Sequence, residues 1–304
     1  MIPKPLRGII VPLVTPLLDN DTLDIEGLER LIEHTIGGGV HGLFILGTTG
    51  EFASLSYRLK TEVIHHACRM VNRRVPVLVG IADSSFAESL NLSVIAADNG
   101  ADAAVITPPF YFSQGQAELL EYLRHVAPRF ALPVFLYNMP AHTKMMIEPD
   151  TAVAAAQIPQ IIGIKDSSFD LAYFKRIQYK LKDQPDFSLL VGPEEFTPEF
   201  VMMGGHGGVN GGANMFPKLY VDLYHASVER NFDKIIPLMN QVMRISTTIY
   251  RVGNYSSSYL KGLKCTLSLM GICNDFMAEP FHKFKQPERE KVRKFLEEIQ
   301  SSKN

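Results

Sequence analysis

The feature that most constrains the fold is an alternation of short apolar runs with longer amphipathic ones, repeated eight times in the first 230 residues. The short runs, rich in β-branched residues, are predicted strands at 8–16, 42–49, 76–81, 103–109, 133–140, 161–167, 187–194 and 207–213. Between them, helical spacing predicts helices at 24–38, 56–72, 86–99, 116–129, 149–157, 170–181, 196–203 and 216–229. Nearly continuous apolar strands flanked by helices are typical of a parallel sheet buried on both faces. Eight such units predict an α/β fold, the (β/α)8 TIM barrel.

The remaining chain, residues 231–304, carries helical patterns but no predicted strand. Two stretches, 231–252 and 255–273, have apolar residues at helical spacing, and three helices are expected in all. Because no low-complexity linker precedes them, we predict a catalytic barrel domain at 1–230 and a C-terminal three-helix extension at 231–304 that packs on it. The alternative is a doubly wound sheet with a helical cap, which would lack an eighth closing strand, and 207–213 is the weakest strand prediction.

Composition and charge argue against several classes of protein. The 304 residues are 46% hydrophobic and 20% charged, as expected of a globular chain with a sizeable core. The formal net charge of −2 gives no sign of a nucleic acid or an anionic membrane as partner. No apolar run reaches membrane-spanning length, and prolines interrupt residues 1–16 too early for a signal peptide, so the cytoplasm is the expected location.

Metal and nucleotide sites lack their usual motifs in this sequence. The three cysteines, Cys68, Cys265 and Cys273, form no CxxC pair, which argues against a disulfide framework or a zinc site. No HExxH, Walker or GxGxxG pattern is present either. The sequence therefore gives no support to a metal, nucleoside triphosphate or dinucleotide site.

A lysine ends the apolar run of the sixth predicted strand. The run is QIIGIKDSS at 160–168, and Lys165 is of a residue type that resists burial. One interpretation is a lysine whose ammonium reaches solvent or pairs with Asp166. The other is an amine shielded from water, which loses its proton readily and becomes a nucleophile. Gly163 shares the face of Lys165 and would leave space beside its side chain.

Other unusual residues follow the predicted strands, and in a barrel the carboxyl ends of the strands carry the active groups. Tyr137 ends the fifth strand in YNMP, on a face that can point with Lys165 into the barrel mouth. GTTGE at 47–51 offers two backbone amides and two hydroxyls that can hold a small carboxylate. Alternatively, Thr48 or Thr49 caps the next helical segment.

An amine, a carboxylate cradle and a phenol together fit one chemistry, which is Schiff-base formation with a 2-oxo acid. The amine of Lys165 attacks the ketone and water leaves. The iminium then accepts the electrons of a breaking C–C bond and becomes an enamine, and in the reverse direction the enamine adds to an aldehyde. Tyr137 would relay protons during these steps.

These motifs resemble those of a known family. GTTGE, YNMP and GIKDSS, in this order and at these separations, are similar to the motifs of the dihydrodipicolinate synthase and N-acetylneuraminate lyase family of class I aldolases. VTP at 14–16 and GADAAVITPP at 100–109 extend the resemblance to nearly the whole chain. It implies a (β/α)8 barrel with a helical extension, a homo-oligomer (a tetramer or a dimer) and no metal or organic cofactor. The implied partners are pyruvate, as the 2-oxo acid, and an aldehyde.

The resemblance assigns roles to residues of the first site. Lys165 matches the Schiff-base lysine and Tyr137 matches the catalytic tyrosine. Thr48 and Thr49 match the pair that binds the pyruvate carboxylate, with Thr48 also placed among the catalytic residues. Val209 matches an apolar residue whose backbone lines the pyruvate site.

One further catalytic assignment is ambiguous. Tyr111, in TPPFYFSQ, matches the tyrosine that some members lend across a subunit interface to a proton relay. The local spacing also allows Phe110 to occupy that place.

Residues expected to bind the second substrate depart from the synthase pattern. The synthases carry an arginine two residues after the proline of the YN motif, where this chain has His142, which cannot make a bidentate contact to a carboxylate. Lys144 could compensate if it points into the site. Glu194 and Glu195 in GPEE match the acidic pair with which sialic-acid lyases bind sugar hydroxyls, or else belong to a solvated helix start. Gly211 replaces a serine of those lyases.

The sequence therefore predicts a lyase that releases pyruvate and an aldehyde from a 2-keto-3-deoxy sugar acid or a related hydroxylated 2-oxo acid. The alternative is 4-hydroxy-tetrahydrodipicolinate synthase, which condenses pyruvate with aspartate semialdehyde. A dehydratase acting through the same imine and a non-catalytic sensor of 2-oxo acids are more remote alternatives.

Overall fold

Eight parallel strands form a closed barrel in the computed structural model, which describes residues 2–112 and 114–301. The barrel strands are β1 Gly8–Pro12, β2 Gly42–Ile45, β3 Val77–Gly80, β4 Ala103–Ile106, β5 Val134–Asn138, β6 Ile161–Asp166, β7 Ser188–Val191 and β8 Gly207–Val209. Each strand pairs with the next one along the chain, and β8 pairs with β1. The predicted (β/α)8 barrel is confirmed, and the doubly wound alternative is wrong because the eighth strand closes the sheet.

Closure of the barrel depends on glycine. Gly207 of β8 lies opposite Gly8 of β1. A Cβ atom at Gly207 would lie only 1.9 Å from the carbonyl oxygen of Gly8, so any side chain there would force the two strands apart. The short strand β8 is therefore rich in glycine because its close approach to β1 leaves no room for a side chain, although glycine has a low strand propensity.

Helices follow the barrel strands and cover the outside of the barrel. The longer ones are Ile25–Gly37, Tyr57–Val71, Phe86–Asp98, Gln116–Val126, Pro149–Ala155, Leu171–Lys180, Thr197–Met202 and Pro217–Val228. Several begin at a capping residue, as where the carboxylate of Asp24 accepts a hydrogen bond from the Gly27 N–H and the Ser56 hydroxyl accepts one from the Leu59 N–H.

The barrel strands are shorter than the predicted apolar runs. The run predicted at 8–16 contributes only Gly8–Pro12 to the barrel. It is followed by a small antiparallel hairpin of Leu17–Asp19 and Thr22–Leu23, which the sequence did not predict. Leu13 and Val14 beyond the strand are buried in the layer between barrel and helices, which explains why the apolar run continues past the last strand residue.

Three helices follow the barrel, Phe232–Thr247, Ser258–Leu269 and Gln286–Ser301, with a 3₁₀ segment at Ile249–Asn254 between the first two. The first of them packs against Pro217–Val228, the last helix of the barrel. Their buried side chains, among them Ile245, Leu263 and Leu267, belong to the same apolar core as the barrel helices.

Two apolar layers hold the barrel together. Inside it, side chains from alternate strand positions, such as Ile10, Phe44, Leu78 and Phe135, form a separate packed cluster. A larger core fills the space between the strands and the helices. None of the helices in the described residues is long and apolar enough to cross a membrane.

Candidate active site

A cavity of about 430 Å³ opens at the carboxyl ends of the barrel strands. Nine of the ten predicted site residues line it, namely Thr48, Thr49, Tyr137, His142, Lys165, Glu194, Glu195, Val209 and Gly211. They come from the carboxyl ends of several different strands and from the loops after them, which the parallel barrel brings to one end. Tyr111 is the exception.

Lys165 lies near the last residue of β6, directly opposite Tyr137 of β5 in the strand register. Only 7% of its surface is exposed. Its Nζ lies 3.9 Å from the centroid of the Tyr137 ring and 5.4 Å from that of Phe44. No ion pair of Lys165 is present in the described part of the chain.

Asp166 does not pair with the neighbouring lysine, because alternation along β6 turns it to the opposite face. Its carboxylate accepts hydrogen bonds from Asn138 Nδ2 at 2.8 Å and from the Ser168 hydroxyl at 2.9 Å. Burial raises the pKa of Asp166 to about 6, against the effect of these hydrogen bonds. The geometry thus favours the shielded amine over the structural ion pair as the interpretation of Lys165.

Tyr137 is buried beside the lysine, with its hydroxyl 3.3 Å from the Thr48 hydroxyl. Burial alone would raise the pKa of Tyr137. The charge of Lys165 and hydrogen bonds from Thr48, Lys165 and Ser167 outweigh burial, so the pKa lies below its ordinary value. A phenol of lowered pKa that contacts a threonine hydroxyl is suited to passing a proton. Ser167, which also lines the cavity, was not predicted from the sequence.

The GTTGE loop is held by its glutamate rather than by the threonines. Glu51 has a left-handed backbone, with φ of 58°, and its N–H donates to the carbonyl of Thr48 at 3.0 Å, which closes a turn. The turn leaves the hydroxyls of Thr48 and Thr49 on the cavity wall. The Thr49 hydroxyl lies 3.2 Å from that of Tyr259, which belongs to the helix Ser258–Leu269.

The two glutamates of GPEE differ in their surroundings. Glu194 is buried, and its carboxylate accepts hydrogen bonds from the hydroxyls of Tyr220 at 2.6 Å and Tyr250 at 3.0 Å and from the Gly212 N–H at 2.9 Å. Burial raises the pKa of Glu194 to about 7. Glu195 is half-buried and accepts a hydrogen bond from the Ser246 hydroxyl. Glu195 is therefore the more available of the two for a ligand.

His142, which the resemblance aligns with the arginine of the synthases, lines the cavity. Burial, with a smaller contribution from the charge of Lys144, lowers the pKa of His142. Lys144 does not line the cavity, and its Nζ donates to the carbonyl of Ala141 at 2.9 Å. Lys144 thus does not replace the missing arginine in this structure.

At Gly211, another side chain occupies the space beside the backbone. A Cβ atom on Gly211 would lie 1.7 Å from the hydroxyl oxygen of Tyr259. The Tyr259 hydroxyl, which contacts Thr49, thus takes the volume that a serine side chain would need.

Tyr111 lies outside the cavity in the single chain. It is 89% exposed, with φ of 90°, and its ring packs edge-on against Phe112. Phe110 lines an adjacent cavity that also contains Thr48 and Thr107. The role of Tyr111 across a subunit interface stays a prediction.

Residues of the C-terminal segment line the same cavity and were not predicted as site residues: Ser246, Tyr250, Arg251, Tyr255, Ser256 and Tyr259. The one local signal is the hydroxyl-rich run NYSSSY at 254–259, which is unusual at the start of a packed helix. Their approach to the barrel depends on tertiary packing. Among the described residues, no group of three or more His, Cys, Asp or Glu is placed to hold a metal ion.

Comparison with known proteins identifies the family. The model of the dihydrodipicolinate synthetase family matches residues 5–299. A 4-hydroxy-tetrahydrodipicolinate synthase of Pseudomonas putida (strain W619) is 32% identical over 249 residues, which are 82% of this chain and 85% of that protein. An uncharacterized DapA-like lyase of Thermococcus kodakarensis is 30% identical over 97% of this chain and 100% of its own length.

Solved structures agree with the sequence comparisons. Dihydrodipicolinate synthase from Bacteroides thetaiotaomicron has a TM-score of 0.96 and 58% identity, covering 98% of this chain and 100% of that one. YagE from E. coli K12, a member of the dihydrodipicolinic acid synthase family solved in complex with pyruvate, has a TM-score of 0.91 and 29% identity, covering 97% and 98%. The chain therefore belongs to the dihydrodipicolinate synthetase family, as its motifs predicted, and is an enzyme of the carbon–carbon lyase and synthase type found there.

Proposed function

We propose that this enzyme cleaves a 2-keto-3-deoxy sugar acid, or a related hydroxylated 2-oxo acid, to pyruvate and an aldehyde through an imine on Lys165. The observation that carries the proposal is the position of Lys165. Its amine is buried at the end of β6, has no ion pair in the described residues, and lies over the ring of Tyr137 in the cavity lined by Thr48 and Thr49.

The reaction begins when the neutral amine of Lys165 attacks the C2 ketone of the substrate. Loss of water gives an iminium ion, which is an electron sink. The C4 hydroxyl then gives up its proton, the C3–C4 bond breaks, the aldehyde leaves, and the bonding electrons form an enamine on C3. Protonation of C3 and hydrolysis of the imine release pyruvate and restore the lysine. Tyr137 holds and returns the protons, with Thr48 orienting its hydroxyl.

The carboxylate end of the substrate would bind to the GTTGE turn. Thr48 and Thr49 present two hydroxyls beside the lysine, and the turn adds backbone N–H groups. Relatives support pyruvate as the bound acid, since both YagE and the dihydrodipicolinate synthase of Acinetobacter baumannii were solved with pyruvate. The backbone of Val209, which lines the same cavity, would border the bound pyruvate.

A hydroxylated substrate is favoured by the rest of the wall. Glu195 and the hydroxyls of Ser167, Ser246 and Ser256 line it, and such groups bind sugar hydroxyls. Partial burial and the charge of Lys144 lower the pKa of His142, which favours its neutral form as a hydrogen-bonding group for hydroxyls.

The second candidate is 4-hydroxy-tetrahydrodipicolinate synthase, because several curated relatives carry that name. Condensation of pyruvate with aspartate semialdehyde is the assay for it. Pyruvate release from a panel of 2-keto-3-deoxy acids is the assay for the lyase. If the panel releases no pyruvate and condensation is fast, the synthase is correct. Loss of water without pyruvate release would indicate the dehydratase.

The imine is tested directly by reduction with borohydride in the presence of pyruvate, followed by intact mass. We expect a mass increase in the wild type and in Tyr137→Phe, and none in Lys165→Ala. Tyr137→Phe should lower turnover by about 10²- to 10⁴-fold, the range of general acid–base catalysis. An adduct that persists in Lys165→Ala would exclude Lys165 as the nucleophile, and an adduct without multiple turnover on any substrate would indicate the sensor.

A homo-oligomer is proposed as the working assembly, as a tetramer or a dimer. The neighbouring aromatic side chains of Tyr111 and Phe112 are 89% and 79% exposed, which is a large apolar surface for a monomer. Light scattering of the wild type and of Tyr111→Ser tests whether this patch is an interface.

A further inference from the structure

The cavity has a buried floor and an open mouth. Lys165, Tyr137 and Thr49 are each less than one tenth exposed and form the floor. Tyr255 is 53% exposed, and Arg251, which lines the same cavity, is also exposed. A substrate whose ketone bonds to the floor would therefore extend its far end towards the C-terminal segment.

Arg251 is a cation without a partner at that end. It lies in the 3₁₀ segment Ile249–Asn254, and its backbone N–H donates to the carbonyl of Thr248 at 3.0 Å. In the described part of the chain, its guanidinium forms no ion pair and no side-chain hydrogen bond. Glu195, on the same wall, accepts its hydrogen bond from Ser246 instead.

Among the cationic side chains of the cavity, one remains available to bind a second anion. Among the described lining residues, Lys165 and Arg251 are the lysine and arginine, and Lys165 is taken by the ketone in the proposed reaction. Partial burial lowers the pKa of His142, and an imidazole lacks the bidentate fork of a guanidinium. A guanidinium presents a planar fork of N–H donors that matches a carboxylate in two parallel hydrogen bonds. A phosphate dianion usually takes several donors, and Arg251 is the one arginine among the described lining residues.

We propose that Arg251 binds a carboxylate at the end of the substrate remote from the ketone, so that the preferred substrate is a 2-oxo diacid. The inference rests on the proposed function, because it places the ketone at Lys165. It assigns the binding of the far carboxylate to the C-terminal segment. His142, in the loop after β5, lacks the bidentate fork of an arginine for that role. It also means that the aldehyde released on cleavage carries a carboxylate.

The test compares two six-carbon acids that differ only at the far end, 2-oxoadipate with a carboxylate and 2-oxohexanoate with a methyl group. Neither has a C4 hydroxyl, so neither is cleaved, and both are read out as borohydride-reduced adducts by intact mass. In the wild type, we expect the half-saturating concentration of 2-oxoadipate to be at least about tenfold lower than that of 2-oxohexanoate. A hydrogen bond between charged groups contributes a free energy of that size.

Arg251→Met should raise the half-saturating concentration of 2-oxoadipate by about 10- to 100-fold and change those of pyruvate and 2-oxohexanoate by less than about twofold. Arg251→Lys should keep part of the preference, because the charge remains but the fork is lost. Lys144→Met is the matched control, since it removes a cation near His142 that does not line the cavity. It should leave the preference intact.

Three outcomes overturn the inference. One is a wild type that does not distinguish the two acids, and another is a preference that survives in Arg251→Met. The third is a variant that weakens pyruvate as much as 2-oxoadipate, which means that Arg251 merely supports the fold of the site. A wild type that forms no adduct with pyruvate refutes the proposed function itself, and this inference with it.

Discussion

Lys264, on the helix Ser258–Leu269, forms an ion pair with Glu51 of the GTTGE loop, and the two side chains are only 1% and 2% exposed. The same amine donates to the carbonyl of Phe276 at 2.6 Å, and the second carboxylate oxygen of Glu51 accepts from the Ala278 N–H at 2.9 Å. The loop that carries Thr48 is thus fixed to the C-terminal segment by a buried pair of charges.

Removing one partner of this pair should cost more than removing both. Lys264→Met leaves the Glu51 carboxylate buried without its counter-charge, and we expect a loss of about 3–5 kcal/mol in the free energy of unfolding. Glu51→Gln/Lys264→Met, which leaves no buried charge, should be less destabilised. Urea unfolding measures both values, and a double variant no more stable than Lys264→Met would contradict the expectation.

The pair should also matter for ligand binding, because it holds the turn on which Thr48 and Thr49 lie. In Lys264→Met, the half-saturating pyruvate concentration for borohydride trapping should rise, while the fully trapped mass stays the same. A matched control is Lys218→Met, which removes an exposed lysine paired with Asp222 on a barrel helix and should leave trapping unchanged.

The lack of space beside Gly211 leads to a further prediction. The Cβ of Gly211→Ala would lie 1.7 Å from the Tyr259 hydroxyl, so Tyr259 must move and its contact with Thr49 is lost. We expect weaker pyruvate trapping and a lower Tm. In a Tyr259→Phe background the hydroxyl is absent, so the same substitution should do less additional damage. Strictly additive effects of the two changes would show that the clash is relieved without moving Tyr259.

The barrel was predictable because its strands are buried on both faces and so appear as continuous apolar runs. Their ends were not, since apolar residues such as Leu13 continue past the last strand residue into the core between barrel and helices. The hairpin of Leu17–Asp19 and Thr22–Leu23 is too short to show a period. β8 could be identified only by the count of eight units, because glycine has no strand propensity.

The floor of the site was predictable from local pattern, whereas its far wall was not. Strand alternation and adjacency place Tyr137 beside Lys165 whatever the rest of the chain does. Arg251, Tyr250 and Tyr259 reach the cavity through the tertiary packing of the C-terminal segment, whose one local sign is the hydroxyl-rich run at 254–259. The donors that surround Glu194 are distant in sequence for the same reason.

The burial of the three cysteine thiols leads to a further prediction. Burial raises the pKa of Cys68 and Cys273 to about 12 and that of Cys265 to about 11, so almost no thiolate is present near neutral pH. A thiol reagent at pH 8 should label the native enzyme only slowly and label all three after unfolding in guanidinium. Ser301→Cys, at an exposed position, is the control and should react at once. Rapid labelling of a native cysteine would show that the segment around it opens readily.

Glu194 predicts how stability depends on pH. Burial raises its pKa from the ordinary 4.5 to about 7, despite hydrogen bonds from Tyr220, Gly212 and Tyr250. The folded state therefore binds this proton more tightly than the unfolded chain, a contribution that is present below about pH 4.5 and lost as the pH rises to about 7. Glu194→Gln has no such proton, so over that range the free energy of unfolding of the wild type should fall by up to roughly 3 kcal/mol relative to that of the variant.

Urea unfolding of both proteins from pH 5 to 8 measures the difference, with Glu195→Gln as the control for loss of a carboxylate from the same loop. A constant difference between wild type and Glu194→Gln would mean that Glu194 stays ionised in the folded enzyme, held by its three donors.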